Sequence, residues 1–230
     1  MHTAEQEITL DWIQYLQSVD SPTLSNAIEL LNVRHRRDGF TPVEIRCLFP
    51  ELGRMCGYAV TAQVETVNET GPFELERFIE LYRAVQSAPK PAVVVLQELG
   101  GYHNYAAHAG EVMSTIFTRL GAVGLVSDCC VRDIPEVRNL GFHYFARGSV
   151  VSHASFRIVR VGVPVQIHGM VVRPADILHG DENGLLSVPA RYEKELAFAV
   201  DKVRSREKRL MEWVRSDDFS LDDFHTFVVE

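Results

Sequence analysis

Residues 91–133 read PAVVVLQELGGYHNYAAHAGEVMSTIFTRLGAVGLVSDCCVRD. The opening PAVVVLQ is an apolar run rich in β-branched residues, and Gly100-Gly101 then marks a turn. Apolar spacing predicts a helix over Glu111–Leu120, and AVGLVSD predicts a second strand. A strand, a helix and a strand in that order form the crossover unit of an α/β sheet. In such sheets ligands gather beyond the carboxyl ends of the strands. If these two strands are neighbours, the turn after Leu96 and the turn after Val126 open on one edge and form one pocket.

Outward from this unit the chain alternates helical and extended patterns. Residues Ala4 to Gln17 are helical in spacing. A second helix follows, with Ser21 as N-cap, Pro22 at the first helical position, and Leu24, Ala27, Ile28 and Leu31 on its apolar side. CGYAVTAQVET alternates like a strand after Gly57, and PFELERFIELYRAVQSA has the helical set Phe73, Phe78, Leu81, Tyr82 and Val85. IPEVRNLG predicts a short helix closed by Gly141, and FHYFARG another strand. Residues 164–189 predict small antiparallel strands around a D-E-N-G turn. A last helix runs from about Pro189 to Arg215, with a stripe at Leu196, Val200, Val203, Leu210 and Val214. The expectation is one α/β domain over residues 1–230: a mixed β-sheet covered by helices, with N-terminal helices at about 4–32 and a C-terminal helix plus acidic tail at about 189–230.

Composition limits the function classes. With 230 residues, 46% of them hydrophobic and 23% charged, the chain can bury a sizeable core. The net charge is −8 and the basic residues are scattered outside the last helix, so there is no electrostatic footprint for nucleic acid. No apolar run approaches the ~18 residues a membrane span needs, and acids already stand at Glu5, Glu7 and Asp11. A soluble, cytoplasmic protein with small-molecule or protein partners is expected. Cys47, Cys56, Cys129 and Cys130 are too few and too uneven for a disulfide framework or a paired C-x-x-C zinc site, so reduced thiols are expected.

Glu111 and Arg132 are separated by twenty residues, giving E-x20-R-D with a glycine, Gly110, before the acid. This motif resembles the signature of the RraA-like proteins. Further similar blocks are TLSNAIELL, GYAVTA, LGAVGLVSDCCVRD, FARG and VRPADILHGDENGLLSVP, in order from about residue 21 to 189. That family includes class II pyruvate aldolases acting on 4-hydroxy-4-methyl-2-oxoglutarate and 4-carboxy-4-hydroxy-2-oxoadipate, and also proteins without aldolase activity that bind and inhibit a ribonuclease. The resemblance implies a swivelling-domain type sandwich and a trimer or hexamer. It implies a divalent-metal-dependent lyase with an oxaloacetate decarboxylase side activity, or, as the alternative, a non-catalytic binding protein.

For the site, the resemblance implies that Asp133 holds Mg²⁺, Mn²⁺ or another divalent metal. Arg132 would meet the substrate carboxylate and 2-oxo oxygen, and Glu111 would direct a proton-carrying water. Backbone N–H groups after Gly110, near Val112 and Met113, would hold the pyruvate carboxylate. The chemistry agrees. A carboxylate is a hard ligand that Mg²⁺ accepts, a guanidinium spans two oxygens, and a helix N-terminus binds anions. Aldolase members more often carry aspartate where Glu111 stands, which bears on rate and substrate preference.

Blander roles are open for each group. An Arg-Asp pair after a strand is often a surface ion pair, and an acid at a helix start favours the dipole. Asp128 reads as structural, and Cys129 and Cys130 as small fillers where the backbone passes a ligand; no neighbouring base calls for a thiolate. His103 and His108 either line the pocket or bond within their loop. Gly100, Gly101 and Gly110 read as hinge and close-approach positions, without the G-x-G-x-x-G of a dinucleotide site. In aldolase members of the family an acid near the C-terminus reaches the neighbouring subunit's site, so the resemblance implies this role for one of Asp217, Asp218, Asp222 or Asp223.

Overall fold

The structure, a computed structural model, describes residues 12–67 and 74–225. They fall into two compact units: one holds the chain up to Ser21 and Arg37–Ala190, the other Pro22–Arg36 and the chain from Arg191. Helix α1 covers residues 12–17; residues 4–11 of the expected first helix lie outside the described residues. Among the described residues, no helix is long and apolar enough to cross a membrane.

The first unit is built on an eight-stranded mixed sheet. Its strands are β1 (Arg46–Cys47), β2 (Met55–Val67), β3 (Ala92–Glu98), β4 (Ala122–Ser127), β5 (His143–Ala146), β6 (Ser155–Val161), β9 (Ile177–Asp181) and β10 (Gly184–Val188). The order is β1-β5-β4-β3-β2-β9-β10, with β6 also on β2. Strands β2, β3, β4 and β5 run parallel to one another, β3 beside β4 as the crossover unit requires, while β1, β6 and β9 join them antiparallel. The two ends of the path, β1 and β10, touch, so the sheet is nearly closed. A separate hairpin pairs β7 (Val165–Ile167) with β8 (Met170–Val172).

Strand β3 shows why this sheet forms. Its residues alternate between two cores: Ala92, Val94 and Leu96 belong to one, Val93 and Val95 to the other. A strand buried on both faces must be continuously apolar, and PAVVVLQ is. Helices α3 (Leu75–Ser87), α4 (Glu111–Arg119) and α5 (Ile134–Asn139) supply Phe78, Leu81, Val85, Phe117 and Val137 to the first core, each worth roughly 1.5–3 kcal/mol on full burial. The hairpin supplies Val165, Ile167, Met170 and Val172 to the second. At the expected D-E-N-G turn, β9 and β10 pair antiparallel, with Asn183 N–H donating to Asp181 Oδ1.

Several expectations are corrected. Ser21 lies within α2 (Ser21–Leu31); its N–H donates to Asp181 Oδ2, and its hydroxyl is 3.0 Å from His179 Nδ1, so a distant partner replaces the local cap. Strand β6 was not anticipated, although Phe156 and Ile158 alternate with Arg157 in it; the register shifts between Ile158 and Arg160. In the second unit α6 (Glu193–Val214) begins after a 3-10 turn at Ala190–Tyr192, later than Pro189. Of its stripe, Leu196 and Val200 are buried, Val203 and Leu210 half-buried, and Val214 is 43% exposed.

Candidate active site

The parallel register of β3 and β4 carries on into the turns beyond them. Cys130 N–H donates to Ala106 O, His108 N–H to Cys130 O, and Arg132 N–H to Ala109 O. On its other side the heptapeptide Ser127–Asp133 is held by Arg147 N–H on Cys129 O and Val131 N–H on Gly148 O. The two turns therefore open together on one sheet edge, as their strand order requires.

Their meeting point is Gly110 with Asp133. Asp133 takes the left-handed conformation, φ 58 and ψ 47, which a short polar side chain tolerates and which often marks functional sites. It precedes α5 but makes no side-chain cap there; its Oδ2 accepts the N–H of Glu111 instead, at 2.9 Å. Arg132 Nε lies 3.6 Å from the same oxygen. Glycine at 110 permits this approach, since a Cβ there would stand 2.3 Å from Asp133 Oδ2 and 3.0 Å from Arg132 Cγ and would displace both side chains. Helix geometry leaves the first N–H groups of α4 without intrahelical partners. Those of Val112 and Met113 make no hydrogen bond among the described residues.

A cleft of about 610 Å³ opens here, and Gly110, Val112, Met113, Arg132 and Asp133 line it. Five of the six residues singled out in the sequence thus share one wall. Glu111 contributes its N–H beside the cleft, but its exposed side chain is not part of the lining. Of the two loop histidines, His108 lines the cleft; His103 is not part of the lining, and its Nδ1 is 3.0 Å from Asp128 O.

Behind the cleft is a buried polar chain that no local sequence signal announces. The carboxylate of Glu98 only accepts: Oε1 takes the N–H groups of Thr66 and Gly100, and Oε2 takes Thr66 Oγ and His108 Nε2, the last at 2.8 Å. His108 Nδ1 is 2.9 Å from Ser127 Oγ, which accepts the N–H of Cys129. Burial pushes the Glu98 carboxyl up, but the bonds from His108 and Thr66 outweigh it and hold it at about 2. Asp128 Oδ1 accepts Glu98 N–H, a structural role; burial raises its carboxyl to about 6.

Two donor sets could hold a metal. The ligand atoms of Glu98, His108 and Cys129 lie within 4.8 Å of one another and are buried. Each already has internal partners, and burial pushes the Cys129 thiol up to about 12 while it donates to Ala106 O at 2.9 Å. A soft cation would have to displace those bonds. Asp133 fits a hard cation better: its side chain is 36% exposed, and only Oδ2 is hydrogen-bonded among the described residues. Cys129 and Cys130 are buried and free. Burial raises both thiols, and Cys129 donates to the Ala106 carbonyl rather than to the nearby His108 or Glu98, which fits space-filling.

The sequence profile of the RraA-like family, described as Aldolase/RraA, matches residues 21–186. The chain belongs to the RraA-like family. It is 28% identical over 125 residues to a Halalkalibacterium halodurans protein named "Putative 4-hydroxy-4-methyl-2-oxoglutarate aldolase", covering 54% of this chain and 59% of that one. The match thus spans less than two-thirds of that relative's length. A solved structure from Pseudomonas syringae pv. tomato str. DC3000 superposes with a TM-score of 0.71 at 24% identity, over 94% of this chain and 97% of the other. Streptomyces coelicolor RraAS2, described as an unusual member of the RNase ES inhibitor RraA protein family, superposes at 0.68 with 23% identity, over 89% and 96%. These likenesses establish the RraA-type fold.

Proposed function

We propose that this chain is a divalent-metal-dependent class II aldolase that cleaves a 4-hydroxy-2-oxo acid of the 4-hydroxy-4-methyl-2-oxoglutarate kind to pyruvate and a second 2-oxo acid. The observation that carries the reading is the bond from Glu111 N–H to Asp133 Oδ2, with Arg132 on the same cleft wall. It sets a hard ligand, a forked cation and an anion-binding helix start around one space.

In the cleavage the C3–C4 bond breaks, and its electron pair passes through C3 to the 2-oxo oxygen. The C4 hydroxyl loses its proton as C4 becomes a carbonyl, and C3 regains one to give pyruvate. The N–H groups of Val112 and Met113 hold the substrate carboxylate. Arg132 faces the oxygen on which charge develops, where a preorganised cation lowers the barrier. Glu111, at the mouth of α4, passes the proton between the C4 hydroxyl and C3 through water. Asp133 would hold a divalent ion, which would supply Lewis-acid stabilisation of the developing negative charge. Oxaloacetate decarboxylation yields the same pyruvate enolate and belongs to the reading as a side activity. Assembly as a trimer or hexamer belongs to it too, and light scattering tests that part.

The test is pyruvate release from 4-hydroxy-2-oxo acids and oxaloacetate with Mg²⁺ or Mn²⁺, before and after chelation. Activity that disappears with EDTA and returns with metal supports the reading. Full activity after chelation and desalting overturns the metal role, and no turnover of any of these acids leaves the ribonuclease-inhibitor type of function as the better account.

A further inference from the structure

We infer that Tyr144 and Ser114 are positioning residues for the substrate: their hydrogen bond seats the start of α4 on β5 and so aims the N–H groups of Val112 and Met113. This rests on the aldolase reading and adds to it how the carboxylate site is held. Tyr144 is the second residue of β5 and Ser114 the fourth of α4, and both are fully buried. Tyr144 OH lies 2.8 Å from Ser114 Oγ. Neither residue lines the cleft, so the pair acts through α4 and not on the substrate itself.

The start of α4 is anchored twice. Asp133 Oδ2 accepts the N–H of Glu111, and one turn further on Ser114 meets Tyr144. Residues three apart are neighbours on a helix surface, so the anchors sit one above the other, with Val112 and Met113 between them in the chain. A single bond lets a helix end swivel about it; two fix its direction. Ser114 N–H also closes the first turn on Gly110 O at 3.0 Å, which carries the constraint to the glycine facing Asp133. The phenol is itself held firmly. Its ring lies 5.6 Å from that of Phe49 and 6.0 Å from that of Phe142, and its carbonyl accepts the N–H of Leu48. Burial keeps the phenol protonated, and the charges of Asp133 and Arg132 both act on it, which sets it close to the candidate site. A phenylalanine and an alanine would fill this space without withdrawing two hydroxyls from water. Apolar contact is non-directional, however, whereas a hydrogen bond fixes an angle.

The experiment uses the metal-loaded full chain, Tyr144→Phe, and the double variant Tyr144→Phe with Ser114→Ala. Replacing both partners by apolar groups of similar shape is nearly neutral for stability, so the double variant should melt within a few degrees of wild type. KM for the 4-hydroxy-2-oxo acid should rise, and calorimetric affinity for pyruvate should fall, by about tenfold, the scale of one misaligned hydrogen bond to a charged group. The carboxylate is held alike before and during cleavage, so kcat should stay within about threefold. In Tyr144→Phe the Ser114 hydroxyl can turn to the Gly110 carbonyl instead; this variant should show the same split and serves if the double variant does not fold. A loss confined to the melting temperature, with KM and pyruvate affinity unchanged, makes the pair purely structural and overturns the inference, while pyruvate release by the wild type upholds the aldolase reading. A wild type that neither releases nor binds pyruvate overturns that reading, and the inference with it.

Discussion

The carboxylate of Asp133 and the backbone N–H of Glu111, 22 positions apart, are joined by a 2.9 Å hydrogen bond. One oxygen of the candidate metal ligand thereby also fixes the start of the helix expected to hold the substrate. Charge and hydrogen bonding at Asp133 can be separated by mutation. Asp133→Asn retains an acceptor for Glu111 and should keep the thermal midpoint within a few degrees, while pyruvate release falls to background. Asp133→Ala should lose activity and some stability, about 1 kcal/mol for the lost bond. Wild-type turnover in Asp133→Asn would remove Asp133 as metal ligand.

Arg132→Lys keeps the charge and loses the fork. If Arg132 meets the enolate oxygen, kcat should fall by roughly 10²-fold or more, on the scale of an oxyanion-hole donor, with KM changing less. Oxaloacetate decarboxylation should fall in parallel. Steady-state kinetics on both substrates check this, and a change confined to KM would place Arg132 in ground-state binding only.

Gly110→Ala tests the close approach. The added Cβ would stand 2.3 Å from Asp133 Oδ2 and 3.1 Å from Arg132 Nε, so both side chains must move. Pyruvate release should drop by about 10²-fold or more, since small misplacements of reacting groups have effects of that size. Circular dichroism should show an intact fold; unchanged kinetics would mean that neither group needs this position.

Replacing Cys129 and Cys130 together by alanine should leave turnover within about tenfold, or about 1.4 kcal/mol. With the Cys129 thiol pushed up to about 12 by burial, an aromatic disulfide reagent at pH 8 should label it only on unfolding. Rapid labelling of the native protein at Cys129, or loss of several orders of magnitude in rate, would show a chemical role.

His179 gives a pH dependence. It is fully buried, and burial lowers its imidazole to about 4 despite the opposing pull of Asp181. Between about 6.5 and 4 the unfolded chain binds the proton and the folded chain does not, so His179 makes stability fall as pH is lowered through that range. At pH 5 the loss is roughly 2 kcal/mol. Asp128, raised to about 6, acts in the opposite sense over about pH 6 to 4. The urea midpoint of His179→Gln should therefore fall less than that of wild type between pH 7 and 5; an equal fall would assign the acid sensitivity elsewhere.

What the sequence disclosed follows from how local each signal is. The run PAVVVLQ and the spacing after Gly110 reflect burial and helical period, and α4 begins at Glu111 as expected, ending at Arg119 beside the expected Leu120. The meeting of Gly110, Val112, Met113, Arg132 and Asp133 was legible because parallel neighbours put successive turns on one edge. Strand β6 was harder to read: its partner β2 is far away in the chain, and its arginines obscure the alternation of Phe156 and Ile158. The exchange at Ser21 was hidden too, because His179 and Asp181 lie 158 and 160 positions away. The exposed position of the Glu111 side chain depends on packing that spacing alone does not specify.

The bonds at Glu98 tie together Thr66 at the end of β2, Gly100 and His108 in one turn, and, through His108, Ser127 at the head of the other. For anyone re-engineering this scaffold, those turns are one exchangeable cassette. A foreign loop grafted between Leu99 and Gly110 would strand a buried carboxylate unless it brought its own imidazole to the same place. New specificities are then best sought at cleft residues away from that knot, such as Tyr82 and Val112, since the ring of Phe156 lies 5.6 Å from that of His108.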